Sequence, residues 1–126
     1  MAFANEKPIY LQIQEKIEDA ILSGAFEEES QVPSTTEFSV TYKINPATAL
    51  KGINLLVDSG IVYKKRGLGM FVCTGAKEII LNKRKNEFFD GFVCTLVNEA
   101  KKLNIGKDEI LRMVERGYRD GQNRNS

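Results

Sequence analysis

Apolar residues recur every three or four positions through Ile9, Ile13, Ile17, Ala20 and Ile21, the spacing of one buried helical face. The pattern predicts a helix that opens at Pro8 and stops at Gly24, with residues 1–7 as a loose arm ahead of it. Ala25-Phe26 reads as a brief strand, and Glu27-Glu28-Glu29 as a solvated charge run before Pro33. Ser34-Thr35-Thr36-Glu37 has the form of a capping box, in which the serine hydroxyl and the Glu37 carboxylate each take an otherwise unpaired amide of a helix start. A short helix follows, with Phe38, Tyr42 and Ile44 on its apolar side. Asn45-Pro46 then supplies an N-cap and a first-turn proline, so a second helix begins almost without a gap. That helix places Ala49 or Leu50, Ile53, Leu56 and Val57 on one face and ends at Gly60.

Beyond Gly60 the period changes. Ile61-Val62-Tyr63 and Met70-Phe71-Val72-Cys73 read as two strands flanking a basic, glycine-hinged tip, Lys64-Lys65-Arg66-Gly67-Leu68-Gly69. Residues 74–78 read as a hinge. A broad apolar stripe then runs through Phe89, Phe92, Val93, Leu96, Val97, Ala100 and Leu103, and Asn104-Ile105-Gly106 breaks it. A last helix opens at Lys107 and carries Ile110, Leu111, Val114 and Tyr118 before a polar end expected to fray from Gly121. The fold class expected is α+β: two short helices and a hairpin forming a winged helix-turn-helix within residues 1–75, then a two-helix hairpin within residues 76–126. That hairpin is too small to bury both apolar faces, so a second copy of the chain is its simplest partner.

Composition removes several alternatives. The sequence has no histidine, the commonest general base near neutral pH and the commonest metal ligand, so no enzyme activity, metal or cofactor is expected. Cys73 and Cys94 share no metal-ligand spacing and read as small apolar residues. No apolar run approaches the roughly 18 residues of a membrane span, and the N-terminus lacks the basic and apolar regions of a signal peptide; a cytoplasmic protein is expected. The net charge of +1 is small for a nucleic-acid binder, but residues 34–72 hold five Lys/Arg against Glu37 and Asp58 alone. Screening over about 8 Å makes that local balance the relevant one for phosphates.

PIYLQIQEKIEDAILSGAF from Pro8, followed by VPSTTEFSVTYKINPATALKGINLLVDSGIVYKKRGLGMFV, resembles the winged helix-turn-helix domain of the GntR family of bacterial transcription regulators. The Pro-Ile-Tyr-x-Gln-Ile opening, the Pro-Ser before the first short helix, the Asn-Pro-x-Thr and the Gly-x-Gly-x-Phe-Val are specific in combination. The short remainder after the wing is most similar to the YtrA subfamily, whose C-terminal part is two dimerising helices. Many relatives carry arginine where this chain has Thr36 and Pro46, which weakens readout by bidentate arginine and shifts it to other groups.

The resemblance implies a homodimer bound to a double-stranded, palindromic DNA operator, a repressor by exclusion of polymerase, and transporter genes as targets. Whether a small-molecule effector binds is left open. The DNA contacts expected are Ser34, Thr35 and Thr36 at the first short helix, Asn45, Ala47, Thr48 and Lys51 on the recognition helix, and Lys64, Lys65, Arg66, Gly67 and Gly69 in the wing. Thr48 and Lys51 lie three residues apart on one face, and Lys51 can reach guanine O6 or N7. Tyr10 and Gln12 are read mainly as core or surface residues behind the reading head. Dimerisation is expected through Phe89, Phe92, Leu96, Leu103, Leu111 and Val114. A winged-helix protein-interaction module without an operator is the competing reading; competition between one sequence and random DNA separates the two.

Overall fold

The computed structural model describes residues 7–125, with side chains through Gly121. The arm expected over residues 1–7 lies outside the described residues except for Lys7. The chain divides into two compact units, residues 1–83 and 84–126.

In the first unit, α1 (Ile9–Ser23) buries Ile13, Ile17 and Ile21 and ends at Gly24, whose φ of 88° is the left-handed C-cap. The helix-turn-helix follows as α2 (Thr35–Tyr42) and α3 (Pro46–Asp58). Its core side comprises Phe38 of α2 and Ala49, Ile53 and Leu56 of α3, while Leu50 and Val57 are exposed. The α3 face is therefore narrower than the sequence pattern allowed. At Gly52 the reason is visible: an added Cβ would lie 2.6 Å from the Tyr10 carbonyl oxygen and 3.1 Å from Ile13, so α1 and α3 approach through a position that admits only glycine.

The sheet is antiparallel in the order β1 (Gln31–Val32), β3 (Gly69–Val72), β2 (Val62–Lys65). Val62 pairs with Val72 and Lys64 with Met70; Val32, also opposite Met70, joins Val62 and Val72 in the core. Ala25-Phe26 is not the wing's partner strand. Phe26 instead packs partly buried against the core, and its amide donates to the Ala20 carbonyl at 3.0 Å to close the end of α1. The strand forms at Gln31–Val32, opposite Phe71 and Met70, and the residues just before it extend the contact with β3: the Val72 amide donates to the Ser30 carbonyl and the Val72 carbonyl accepts from the Glu29 amide, at 3.0 and 2.8 Å.

The hinge expected at 74–78 is a tight turn that leads at once into α4 (Ala76–Phe88), whose Ala76 and Ile80 are fully buried in the first unit's core. Glu18, 1% exposed on α1, is neutralised there by Lys83 of α4 at 2.6 Å. Glu27-Glu28-Glu29 is also more than a solvated run. The Glu28 carboxylate accepts from the amides of Gly75 and Lys77 at 3.0 and 3.2 Å, capping α4 from across the sheet. Glu29, at a φ of 67°, accepts from the hydroxyls of Tyr63 and Thr74, both at 2.7 Å. These bonds hold both carboxyls below the usual range, led by the Gly75 amide for Glu28 and the Tyr63 hydroxyl for Glu29.

The second unit is helical. A π-helical segment, Phe89–Val93, leads into α5 (Cys94–Lys102), and α6 (Lys107–Asn125) follows after a break at Asn104, whose φ is 57°. The Cys94 amide donates to the Phe89 carbonyl five residues back, and the Phe88 and Phe92 rings, four positions apart, lie 5.3 Å from each other. The helix expected to fray from Gly121 continues to Asn125. Among the described side chains of this unit, Ala100 alone is buried. Cys73 and Cys94 are free thiols.

Candidate nucleic-acid interface

The reading head is fixed at its helix ends before any side chain meets a ligand. Ser34 caps α2 as expected: its hydroxyl accepts from the Glu37 amide at 3.0 Å, and Glu37 accepts from the Ser34 amide at 3.3 Å. Lys43 closes α2 with φ 55°, and the Ile44 amide returns to the Ser39 carbonyl at 3.0 Å. The turn delivers Asn45, whose side-chain oxygen accepts from the Ala47 amide at 2.8 Å, and Pro46 sits at the first helical position. The N-terminal end of α3 thus carries the partial positive charge of a helix start, although Pro46 has no amide hydrogen and the Ala47 amide is already taken by Asn45.

Thr36, Asn45, Ala47 and Lys51 are exposed, and Ser34, Thr35 and Thr48 half-buried. Two of these groups are partly committed. The Asn45 oxygen is used within α3, leaving its amide nitrogen free to donate outward, and the Ser34 oxygen already accepts from Glu37. Lys51 is held more closely than its sequence position suggests: its ammonium lies 4.0 Å from the centroid of the Tyr10 ring. Gln12, by contrast, is buried and donates to the Lys7 carbonyl at 2.8 Å, which fixes the start of α1 rather than facing outward.

The wing brings Lys64, Lys65 and Arg66 to one hairpin end, all exposed. Lys64 and Lys65 lie within β2, so the turn is Arg66-Gly67-Leu68, with Gly67 at φ 79° and Gly69 at φ 116°. Lys65 folds over the sheet, its ammonium 4.6 Å from the Phe71 ring centroid. The hairpin end is braced from β1, where the Gln31 amide donates to the Leu68 carbonyl at 2.9 Å. A Cβ on Gly69 would meet that Gln31 nitrogen at 2.6 Å, so the glycine serves the brace as well as the turn. No local sequence pattern announces Gln31, because its bond spans 37 positions.

A family model described as bacterial regulatory proteins, gntR family, matches residues 9–72, the span from α1 to the end of β3. The chain belongs to the GntR family. It is therefore a DNA-binding regulator and not an enzyme, and among its described residues no group of three or more His, Cys, Asp or Glu could hold a metal ion. The HTH-type transcriptional regulator YhcF of Bacillus subtilis is 30% identical over 115 residues, 90% of this chain and 92% of that protein. The crystal structure of a GntR-family transcriptional regulator from Bacteroides thetaiotaomicron is 36% identical, with a TM-score of 0.78 over 94% of this chain and 99% of that one. The DNA-binding domain of AraR, solved in complex with operator ORR3, is 27% identical with a TM-score of 0.52 over 58% of this chain and 88% of that one. No helix among the described residues of this GntR regulator is long and apolar enough to cross a membrane.

Proposed function

We propose that this regulator acts in the cytoplasm as a homodimer on a palindromic operator, reading bases with Thr48 and Lys51 of α3 and holding phosphates with Lys64, Lys65 and Arg66 of the wing. Ser34, Thr35, Thr36 and the amide of Asn45 add contacts at the two helix ends, and Gly67 and Gly69 let the wing backbone approach closely. The observation that carries the dimer is the second unit's lack of a core. Its large apolar side chains face outward, Phe92 at 69% and Leu103 at 70% exposure, with Phe89, Leu96, Leu111 and Val114 also exposed. Contiguous exposed apolar surface marks an interface. Two-fold pairing through it presents two reading heads to two half-sites.

A helical C-terminal part of this kind also supports the YtrA-like assignment, which brings with it repression and transporter genes as targets. The test is Leu96→Asp, which puts a carboxylate into the seam. The variant should be monomeric by sedimentation and should bind the operator recovered by selection about 10²–10⁴ times more weakly, the gain that linked half-site binding supplies. A monomer with wild-type affinity would refute the coupling, and a variant that remains dimeric would remove Leu96 from the seam.

A further inference from the structure

Tyr10 has a place at the reading face that its position on α1, outside the helix-turn-helix, does not announce. The start of α1 is pinned: the Gln12 side chain donates to the Lys7 carbonyl at 2.8 Å, and the Leu11 and Gln12 amides return to Pro8 at 3.1 and 3.2 Å. Gly52 then admits the Tyr10 backbone against α3, the would-be Cβ lying 2.6 Å from the Tyr10 carbonyl oxygen. Lys51, the residue just before Gly52 in α3, meets the Tyr10 ring, with 4.0 Å between ammonium and centroid. A lysine on an exposed helix face ordinarily samples many rotamers, and ordering it on a ligand costs that freedom. Here a half-buried ring on a second helix narrows the choice beforehand.

We propose that Tyr10 is a positioning residue for DNA recognition, its ring holding the Lys51 ammonium in place on the reading face of α3. The inference rests on the operator-binding reading above and adds a helix to it: α1 shapes sequence preference through Lys51 without needing its own base contact. The hydroxyl has no part in this, so the ring alone should suffice.

The test combines affinity with a double-mutant cycle on the full chain, using the sequence that the wild type selects from random DNA. Tyr10→Leu should weaken binding about two- to five-fold, the worth of a cation–π contact at an exposed site. Tyr10→Phe should restore most of that loss, and in a Lys51→Met background Tyr10→Leu should cost nothing further. Equal losses in the two backgrounds would show a merely structural tyrosine and overturn the proposal, as would tighter binding by Tyr10→Leu, which would mean that the ring holds Lys51 back. Should Tyr10→Leu not fold, NMR on the wild type decides. The upfield ring-current shift of the Lys51 ε-methylene should persist in the DNA complex, and its disappearance would overturn the proposal. Failure of the underlying reading looks different, because a wild type without any preferred sequence would overturn both.

Discussion

Replacing Gly52 with alanine tests the helix crossing on which the reading head is built. In an exposed helix interior this change stabilises by about 1 kcal/mol through helix propensity. Position 52 is buried, however, and the new Cβ would stand 2.6 Å from the Tyr10 carbonyl oxygen, roughly an ångström inside the separation of about 3.5 Å at which non-bonded atoms attract. The obstacle is backbone and cannot rotate away. Its neighbour on the same side, Ile13, is fully buried and 3.1 Å from the same point. Overpacking of this kind lies near the upper end of its usual range, about 3 kcal/mol, so the net loss should be about 2 kcal/mol. For a unit of this size that lowers Tm by about 8–16 °C. Thermal melting followed by circular dichroism at fixed protein concentration measures it, and operator affinity should fall as well, because α1 must retreat from α3. A Gly52→Ala protein that melts higher than wild type would refute the close crossing.

Lys64→Ala and Arg66→Ala should weaken binding to selected and random DNA alike and make the slope of log affinity against log salt shallower by about 0.9 per lost phosphate contact; an unchanged slope would exclude them from the phosphate contacts. The Glu28 and Glu29 carboxyls titrate lower in the folded protein than in the unfolded chain, so the stability they confer is present above the ordinary value near 4.5 and is lost as pH falls through their folded values. Glu28→Gln should therefore flatten the fall of Tm on acidification, and a profile parallel to that of the wild type would contradict the capping role. Lys83→Met takes the ammonium from a carboxylate that is 1% exposed and should cost about 3 kcal/mol, while Glu18→Leu added to it should recover most of the loss. Equal stability of Lys83→Met and wild type in denaturant melts would show that the pair does not matter.

The parts of the fold legible in the sequence are those decided by neighbouring residues. The Ser34 capping box, the Asn45-Pro46 helix start, the Gly60 stop at φ 76° and the glycine-hinged wing all depend on chemistry within a few positions, and the structure has each of them. Contacts between distant residues were not legible. β1 has two residues and no periodicity to reveal it, and its place is set by pairing with β3. Glu28 caps a helix 47 positions away, which no local pattern distinguishes from a solvated acid. Lys43 takes a left-handed conformation where the sequence offers no glycine, because Ile44 must turn inward to begin the approach to α3. In the candidate site, the exposure of Ala47, Lys51, Lys64 and Arg66 followed from helix and hairpin periodicity, whereas Thr48 on the same α3 face is half-buried and the Tyr10 and Gln31 contacts required the tertiary fold.

Competition on DNA tests the central claim most directly. The purified full chain is first used to select a preferred sequence from a random pool, and a labelled duplex of that sequence is then challenged with unlabelled random DNA at physiological salt. Sequence-specific regulators hold their sites about 10³–10⁷ times more tightly than random DNA, so the labelled complex should largely survive a roughly hundredfold excess of random DNA and be displaced by the same excess of its own unlabelled sequence. Selection that recovers no shared, two-fold symmetric sequence, or random DNA that competes as well as the selected duplex, would contradict the account.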